Sequence, residues 1–283
     1  MSVTSLDLSD RAELGWVVEL VRPVRKAAGG APLFVVGAMA RELVMVHGFG
    51  LVSGRATRDL DFAVRVAGWG DYDLIRKALI NDFGFQPVEG IVHRLQSGSG
   101  LLLDMLPFGA IEGAGRTIAW PPDGDEVMIS LGFAEVAETT IAVTLPDGSS
   151  VDVAGPMAQT VLKLVAWSDR ADRSGSDAYD LTILLRNYLD TGHEDRLYDE
   201  AADLLDDPQF DREVAGATLL GQDIAATLGQ ETEKLRDLIA PETDSAGPLR
   251  LVGDLACDPE HGLRLVRGLA RGLGVPSTPS ANV

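Results

Sequence analysis

Two aspartates, Asp59 and Asp61, stand two residues apart within the segment 54–64. Side chains of a β-strand alternate between its two faces, so this spacing directs both carboxylates to one face and the apolar Leu60 and Phe62 to the other. Two like charges side by side repel each other, and a divalent cation relieves the repulsion because a hard cation is ligated by oxygen. The pattern predicts a cation site on a buried strand.

A third carboxylate, Asp104, lies in the apolar stretch 101–106, which predicts another core strand before Pro107. Such a residue completes a cation site with Asp59 and Asp61, or takes the proton from a nucleophile. A cation held here bridges the phosphates of a nucleotide and the attacking hydroxyl. The chemistry this predicts is phosphoryl or nucleotidyl transfer, with in-line displacement at the α-phosphorus.

The elements around the aspartates include a phosphate-binding turn. Residues 32–36 predict a short strand that enters a turn at Gly37, and residues 38–46, rich in helix formers, predict a helix directly after it. A helix that opens on a glycine turn presents backbone N–H groups and the positive end of its dipole, which together bind phosphate oxygens. The predicted order is therefore strand, glycine turn, helix, loop and aspartate strand.

Both groups of carboxylates have simpler interpretations. Asp59 and Asp61 can lie in a solvated turn that precedes a strand, and Asp104 can be a solvent-facing residue at a strand end. Four histidines are scattered without the spacing of metal ligands. Trp167 is interpreted as core or rim packing, with stacking on a base as the alternative.

The spacing of apolar residues changes along the chain from mixed strand and helix patterns to a helical period. We therefore expect a domain of strands and helices at 1–154, a helical domain at 155–275 and a disordered tail at 276–283. Ser9-Asp10 is interpreted as the start signal of the first helix. The predicted helices cover residues 7–29, 70–83, 156–169, 176–190, 194–205, 210–240 and 259–273. The further predicted strands cover residues 117–120, 126–129, 140–145 and 149–153.

Composition limits the location and the partners. The 283 residues contain no apolar run of 18 or more and no basic-then-apolar leader, so we expect a cytoplasmic protein without a membrane span. The single cysteine, Cys257, rules out an internal disulfide. The formal net charge of −19 repels phosphate backbones, so a nucleic-acid partner needs a local basic patch. The candidate residues for that patch are Arg41, Arg55, Arg58, Arg65, Arg94 and Lys163.

Gly37-Ala38 at the head of a helix, the motif Thr57-x-Asp59-x-Asp61 and the lone strand carboxylate Asp104 resemble the core of the polymerase-beta-like nucleotidyltransferase superfamily. The segment 157–170, which contains Lys163, is followed by Ser176-Asp177-Ala178-Tyr179-Asp180-Leu181. These two segments are similar to the lysine-to-aspartate region of the AbiEii-like and MenT-like toxins of bacterial toxin–antitoxin systems. The resemblance spans about residues 33–190.

The resemblance implies an α/β (α+β) fold, in which a nucleotidyltransferase domain with a mixed sheet flanked by helices precedes an all-helical domain. It implies Asp59 and Asp61 as metal ligands, with Asp104 as the further catalytic and metal-binding carboxylate. The nucleotide-binding residues it implies are Gly37, Ala38, Thr57 and Lys163. It also implies that Asp180 orients Lys163 or the acceptor. Ala38 replaces the family's usual small polar residue and offers only its backbone N–H.

The activity implied is Mg²⁺-dependent or Mn²⁺-dependent transfer of a nucleoside monophosphate from an NTP to an acceptor hydroxyl, with release of pyrophosphate. The toxin resemblance implies the 3′ end of tRNA as acceptor and a cognate antitoxin as partner, as in a type IV-like system. One alternative is a small-molecule acceptor, as in the aminoglycoside nucleotidyltransferases, since an acidic surface suits a cationic drug. Another is a non-catalytic binding protein with this fold.

Three basic residues also have structural interpretations. Lys163 and Asp180 can belong to an ordinary solvated helix surface. Arg41 is expected to pair with a carboxylate of its own helix rather than to bind phosphate. Arg170, two turns after Lys163, either joins the same electropositive face or pairs with Asp177.

Overall fold

The computed structural model describes residues 3–51, 57–170, 175–206 and 210–276. The chain divides into two compact units, Thr4–Gly155 and Pro156–Val283, the latter joined by Met1–Val3. Residues 277–283 of the predicted disordered tail lie outside the described residues, as do residues 54–56 of the aspartate segment.

The first unit is built on a mixed sheet. The strands of this unit are β1 (Ser5–Asp7), β2 (Leu33–Val36), β3 (Asp59–Arg65), β4 (Gln86–Pro87), β5 (Arg94–Gln96), β6 (Leu102–Phe108), β7 (Thr117–Ala119), β8 (Val127–Ile129), β9 (Ile141–Thr144) and β10 (Ser150–Val153). Over the described residues eight of them form the sheet, in the order β1-β9-β10-β2-β3-β6-β5-β4, and β7 and β8 form a separate pair.

Helices flank this sheet, which confirms the predicted fold class of the first unit. They are α1 (Gly15–Ala28), α2 (Gly37–Arg41), α3 (Trp69–Phe83) and α4 (Phe133–Val136). α2 continues without a break as a π-helix over Glu42–Gly48, so the predicted helix after the glycine turn is present. α1 packs against α3.

The aspartate strand β3 lies in the middle of the sheet, antiparallel to β2 and parallel to β6. Leu60, Phe62 and Val64 are fully buried, as the alternating pattern predicts, whereas Asp59 and Asp61 are half-buried. The strand interpretation therefore replaces that of a solvated turn. Burial of one apolar face fixes which way both carboxylates point, because a shift of one residue would turn Phe62 outward.

Strand β6 continues through Pro107 to Phe108, beyond the end that was predicted. The backbone N–H of Met105 points toward the β5 side of the strand and donates to the carbonyl oxygen of His93. Pro107 lies two residues further along β6, so its backbone nitrogen points toward the same side. β5 pairs only with residues 102–104 of β6, so no neighbouring strand needs the N–H that Pro107 lacks.

The start of the chain differs from the predicted helix 7–29. Residues Ser5–Asp7 form β1, which pairs in parallel with β9, and α1 begins only at Gly15. The Asp7 carboxylate accepts a hydrogen bond from Ser9 N at 3.0 Å, closing a turn directly after the strand. Ser9-Asp10 therefore belongs to a turn and not to a helix start, since short polar side chains stabilise both.

The second unit consists of helices, as predicted. They are α5 (Pro156–Arg170), α6 (Ser176–Arg186), α7 (Glu194–Asp199), α8 (Arg212–Leu228), α9 (Thr232–Ile239), α10 (Arg250–Asp254) and α11 (Pro259–Leu273). The predicted helix 210–240 is two helices, because Gly229 takes a φ of 54° and ends α8. Helices α6 and α7 end earlier than predicted, and α10 was not predicted. Within the described ranges, no helix has the length and apolar character needed to cross a membrane.

Glycines allow α8 and α11 to pack backbone against backbone. A Cβ on Gly272 would overlap the carbonyl oxygen of Thr218 and would lie 2.8 Å from Gln222 N. A Cβ on Gly268 would lie 2.7 Å from Val214 O, and one on Gly221 would overlap Leu269 O. The close approach of these two helices therefore requires glycine at these positions.

The substitution Gly272→Ala is expected to lower the free energy of unfolding by about 2 kcal/mol, because the added methyl group forces the two helices apart. Chemical denaturation measures the loss. Gly253→Ala in α10 is the matched control, since a Cβ there meets nothing within 4 Å and removes only backbone freedom. Equal effects of the two substitutions would contradict the close helix contact.

Candidate active site

One row of residues crosses the sheet at the level of Asp61. Val36 of β2 is opposite Asp61 of β3, Asp61 is opposite Asp104 of β6, and Asp104 is opposite Arg94 of β5. Residues at paired positions point to the same face of a sheet, so two carboxylates and a guanidinium share this face. Asp59 lies one step along the same face of β3. The register therefore brings together all three aspartates that the sequence indicates.

The turn after β2 lies directly against Asp61. Gly37 has a φ of 69°, and a Cβ at this position would overlap Asp61 Oδ2 and lie 2.8 Å from Asp61 Cγ. Only glycine allows both the left-handed backbone and this approach. Gly37 and Asp61, which are 24 residues apart in the sequence, thus lie in direct contact, with Ala38 as the next residue of α2.

The hydroxyl of Thr57 donates a hydrogen bond to Asp59 Oδ1. The Thr57 side chain is half-buried, and its Oγ1 is also 3.5 Å from Asp59 N. Thr57 therefore fixes the orientation of the Asp59 carboxylate in this structure. It lies beside the carboxylate pair, where the sequence placed it.

Asp104 is buried and ion-paired. Arg94 donates from Nε to Asp104 Oδ1 at 2.7 Å and from Nη2 to Oδ2 at 2.6 Å, a two-pronged contact that is the strongest arginine–carboxylate geometry. His93 Nε2 is 4.0 Å from the same Oδ2. The hydrogen bonds to Asp104 raise the pKa of Arg94, and the charges of Asp59 and Asp61 add to this increase. Asp104 is thus not the solvent-facing residue of the alternative interpretation.

The donor set fits a magnesium ion at the half-buried pair. Mg²⁺ is commonly held by one or two carboxylates, with water and substrate phosphates as its other ligands. Asp59 and Asp61 are such a pair, and Asp61 lies beside the Gly37 turn. Among the described residues, no group of three or more histidine, cysteine, aspartate or glutamate side chains is arranged to hold a metal ion. Asp104 as a third ligand therefore stays a prediction.

The second unit holds Lys163 and Asp180 together. Lys163 Nζ of α5 lies 2.8 Å from Asp180 Oδ2 and 2.9 Å from Asp177 Oδ1, both on α6. The side chain of Lys163 is 15% exposed, and those of Asp177 and Asp180 are 3% and 4% exposed. This is a buried ion-pair network, which replaces the interpretation of an ordinary helix surface.

Burial alone lowers the pKa of Lys163, but the charges of Asp177 and Asp180 and their hydrogen bonds outweigh it. The pKa of Lys163 therefore lies above its ordinary value, and the amine is charged at neutral pH. Asp177 stands in the first turn of α6, where the helix dipole favours a negative charge.

Sequence reasoning did not assign Asp177 and Arg94 to the site. Asp177 and Asp180 are three residues apart, which places them on one face of a helix. The sequence therefore already indicated that the two carboxylates lie side by side. Asp177 was considered only as a partner of Arg170, whose side chain lies outside what the structure describes. Arg94 was considered only as part of a basic patch, because its contact depends on strand pairing.

The basic residues considered for a nucleic-acid patch are largely engaged with carboxylates. Arg41 pairs with Glu42 on the same helix as expected, and Arg65 pairs with Glu138. Arg94 and Lys163 are ion-paired as described above. Arg58 is exposed, and Arg55 lies outside the described residues. The indole of Trp167 is buried and donates to Asp254 at 2.9 Å, which favours the packing interpretation.

Comparison with known families decides the assignment. Residues 20–245 match the family described as nucleotidyl transferase AbiEii toxin, type IV TA system. This chain belongs to the AbiEii family. The match covers most of the chain and both of its units, so the AbiEii chain is a nucleotidyltransferase of a toxin family, as the resemblance implied.

Three solved structures resemble this AbiEii-family chain weakly. The antibiotic-resistance factor ANT(2'')-Ia is 14% identical with a TM-score of 0.36, covering 69% of this chain and 96% of its own. JHP933 from Helicobacter pylori is 14% identical with a TM-score of 0.31, covering 90% and 89%. The CD-NTase CdnG from Bradyrhizobium diazoefficiens, solved with GTP, is 12% identical with a TM-score of 0.28, covering 96% and 87%. No curated protein matches the sequence.

The substitution Gly37→Ala is expected to reduce nucleotidyl transfer by about a hundredfold, because the methyl group displaces the Asp61 carboxylate by the order of 1 Å. Gly84→Ala is the matched control. Gly84 has a similar φ of 72°, and a Cβ there meets nothing within 4 Å. Both variants carry the same backbone strain, so equal losses of activity would contradict a specific contact between Gly37 and Asp61.

The substitution Lys163→Met is expected to lower the free energy of unfolding by about 3 kcal/mol, because it removes the cation from between two buried carboxylates. Adding Asp177→Asn to Lys163→Met should recover part of this loss, since one of the two like charges is then gone. Urea denaturation of the single and double variants measures the coupling. Strictly additive losses would show that Lys163 and Asp177 do not stabilise each other.

Proposed function

We propose that this AbiEii-family chain transfers a nucleoside monophosphate from an NTP to an acceptor hydroxyl and releases pyrophosphate. The observation that carries the proposal is the contact between the Gly37 turn and Asp61, with Asp59 on the same face of β3. A phosphate-binding turn and a cation-binding pair are the two parts that nucleotidyl transfer needs side by side.

Asp59 and Asp61 hold a Mg²⁺ or Mn²⁺ ion in this proposal. When bound, such an ion neutralises phosphate charge and raises the ionised fraction of an attacking hydroxyl. Thr57 keeps the Asp59 carboxylate in place through its hydroxyl hydrogen bond. Asp59 thereby serves as a ligand of fixed orientation.

Backbone and side-chain donors hold the phosphates of the NTP. The N–H groups of Gly37 and Ala38 point from the start of α2, and Ala38 has no side-chain donor to add. Lys163 binds a nucleotide phosphate as a point charge, and Asp177 and Asp180 fix the position of its amine. A charged lysine in this role neutralises the transition state as the phosphorus–oxygen bond breaks.

The 3′ end of tRNA is the acceptor that we propose, with a cognate antitoxin as the partner that silences the activity. The support is the AbiEii family itself, whose description is that of a type IV toxin–antitoxin system. Modification of the tRNA 3′ end blocks aminoacylation and would arrest growth.

A cationic small molecule is the second candidate acceptor, and the charge distribution favours it. The net charge is −19, and the described arginines and lysine nearest to these motifs are engaged with carboxylates, except for Arg58. A polyanion finds little uncompensated positive charge among these described side chains, whereas a polycationic drug is attracted by the negative net charge.

Incubation with Mg²⁺, each labelled NTP, and either total tRNA or a panel of aminoglycosides separates the candidates. Label is expected in tRNA and is expected to fall at least about a hundredfold in Asp59→Ala, which lacks one metal ligand. Asp152→Ala, which alters an exposed strand residue of the same sheet, is the matched control for the charge removed.

Label on an aminoglycoside alone would replace tRNA with the small-molecule acceptor. Label in neither, with all four NTPs and with Mn²⁺ in place of Mg²⁺, would contradict the transferase proposal and favour a non-catalytic binding protein.

A further inference from the structure

A groove opens on the surface of the first unit, between the end of α1 and the first turns of α3. Its volume is about 550 Å³, and Val66 and Ile75 line it together with five alanines. The alanines are Ala27, Ala28, Ala31, Ala67 and Ala110. Their short side chains leave an apolar depression whose walls lack the dispersion contacts of a packed interior until a larger side chain fills it.

Leu74 of α3 lies at this groove and is exposed. Its exposure of 67% is the highest among the large apolar residues that the structure describes. A single exposed leucine needs no explanation, but one that adjoins an unfilled apolar groove forms a continuous apolar patch with it, and such patches mark interaction surfaces. The patch therefore offers both a side chain to insert and a depression that accepts one.

One cation and one anion also line the groove. Arg65 ends β3, and Asp71 stands in the first turn of α3, on the same helix face as Leu74 three residues further on. Asp71 accepts a hydrogen bond from Ala67 N at 3.1 Å, and Arg65 pairs with the exposed Glu138 at 3.3 Å. Both groups can make further contacts, because a carboxylate accepts several hydrogen bonds and a guanidinium donates up to five.

We propose that this groove binds a second copy of the chain across a two-fold axis. In a two-fold contact the same patch serves both partners, so it must contain both halves of every interaction. Leu74 of one copy enters the alanine-lined groove of the other, and Arg65 of each copy faces Asp71 of the other. The paired charges attract at the contact, although each whole chain carries a net charge of −19.

The second copy binds away from the candidate active site. Arg65 is the last residue of β3 and Asp59 is the first, so a strand length of about 20 Å separates them. A copy on the groove therefore leaves the carboxylates open to a nucleotide. Dimer formation and nucleotidyl transfer are thus independent, and the failure of one does not affect the other.

Analytical ultracentrifugation of the full chain at physiological ionic strength tests this surface, because salt screens the repulsion between two acidic chains. The mass is expected to rise with concentration from that of one chain to that of two. Leu74→Asp is expected to weaken the dimer at least about tenfold, because it puts a charge into an apolar groove. Val127→Asp is the matched control, since it alters another exposed apolar residue of the same unit.

The dimer of Val127→Asp should be as stable as that of the unaltered protein. Equal weakening by the two substitutions would overturn the proposal, because the dimer would then use another surface. A monomer at every concentration would also overturn it and would leave the groove to a different partner.

Exchange of the paired charges gives a sharper comparison. Arg65→Glu and Asp71→Arg each put like charges opposite each other at the two-fold contact, so either variant alone is expected to stay monomeric. An equal mixture of these two variants restores opposite charges at both contacts and should form the dimer. The double variant Arg65→Glu/Asp71→Arg should form it as well.

Urea denaturation of each variant shows that it is folded before its mass is compared. A mixture that stays as monomeric as its two folded components would overturn the proposal. A dimer formed by either single variant alone would do the same, because the two charges would then not face each other.

Discussion

The pairing register of β3 is the constraint on which the candidate site depends. Phe62 and its apolar neighbours on β3 are buried in the middle of the sheet, so Asp59 and Asp61 point to the other face. The same register puts Asp61 beside Asp104 and next to the turn at Gly37. A shift by one residue would bury carboxylates and expose the core, at a cost of several kcal/mol for each desolvated charge. The hydrophobic core therefore specifies the geometry of the polar site.

Several cationic side chains of this protein are compensated by neighbouring carboxylates. In a chain with a net charge of −19, Arg94, Arg41 and Lys163 are each placed against a carboxylate in low-dielectric surroundings. Such pairs hold a side chain in one position because a buried partner cannot be exchanged for water without a penalty. For Lys163 the result is a fixed, charged amine, and for Asp104 it is a carboxylate whose position is set by Arg94. These side chains are thus held in place by their ion-pair partners.

Sequence reasoning succeeded where the signal was local. Alternation around Phe62 predicted β3 and the direction of both aspartates, and the glycine turn with its following helix was predicted from residues 32–46. It failed where local signals are ambiguous. Ser9-Asp10 resembles a helix start but closes a turn, because the same short polar side chains stabilise both. The break at Gly229 was overlooked, since an isolated glycine within a helical pattern does not by itself reveal its φ.

The sequence by itself determined the family and, through the family resemblance, the mixed sheet followed by helices. It also determined which residues could do chemistry together, because spacing along one strand or one helix decides which side chains share a face. Only the tertiary structure decided which residues hold those groups in place. Arg94 contacts Asp104 because β5 pairs with β6. Gly37, at the end of β2, contacts Asp61 of the neighbouring strand β3. Lys163 of α5 contacts Asp177 of α6. Each contact joins two different secondary-structure elements, so the periodicity of a single helix or strand does not predict it. Packing alone brings them together.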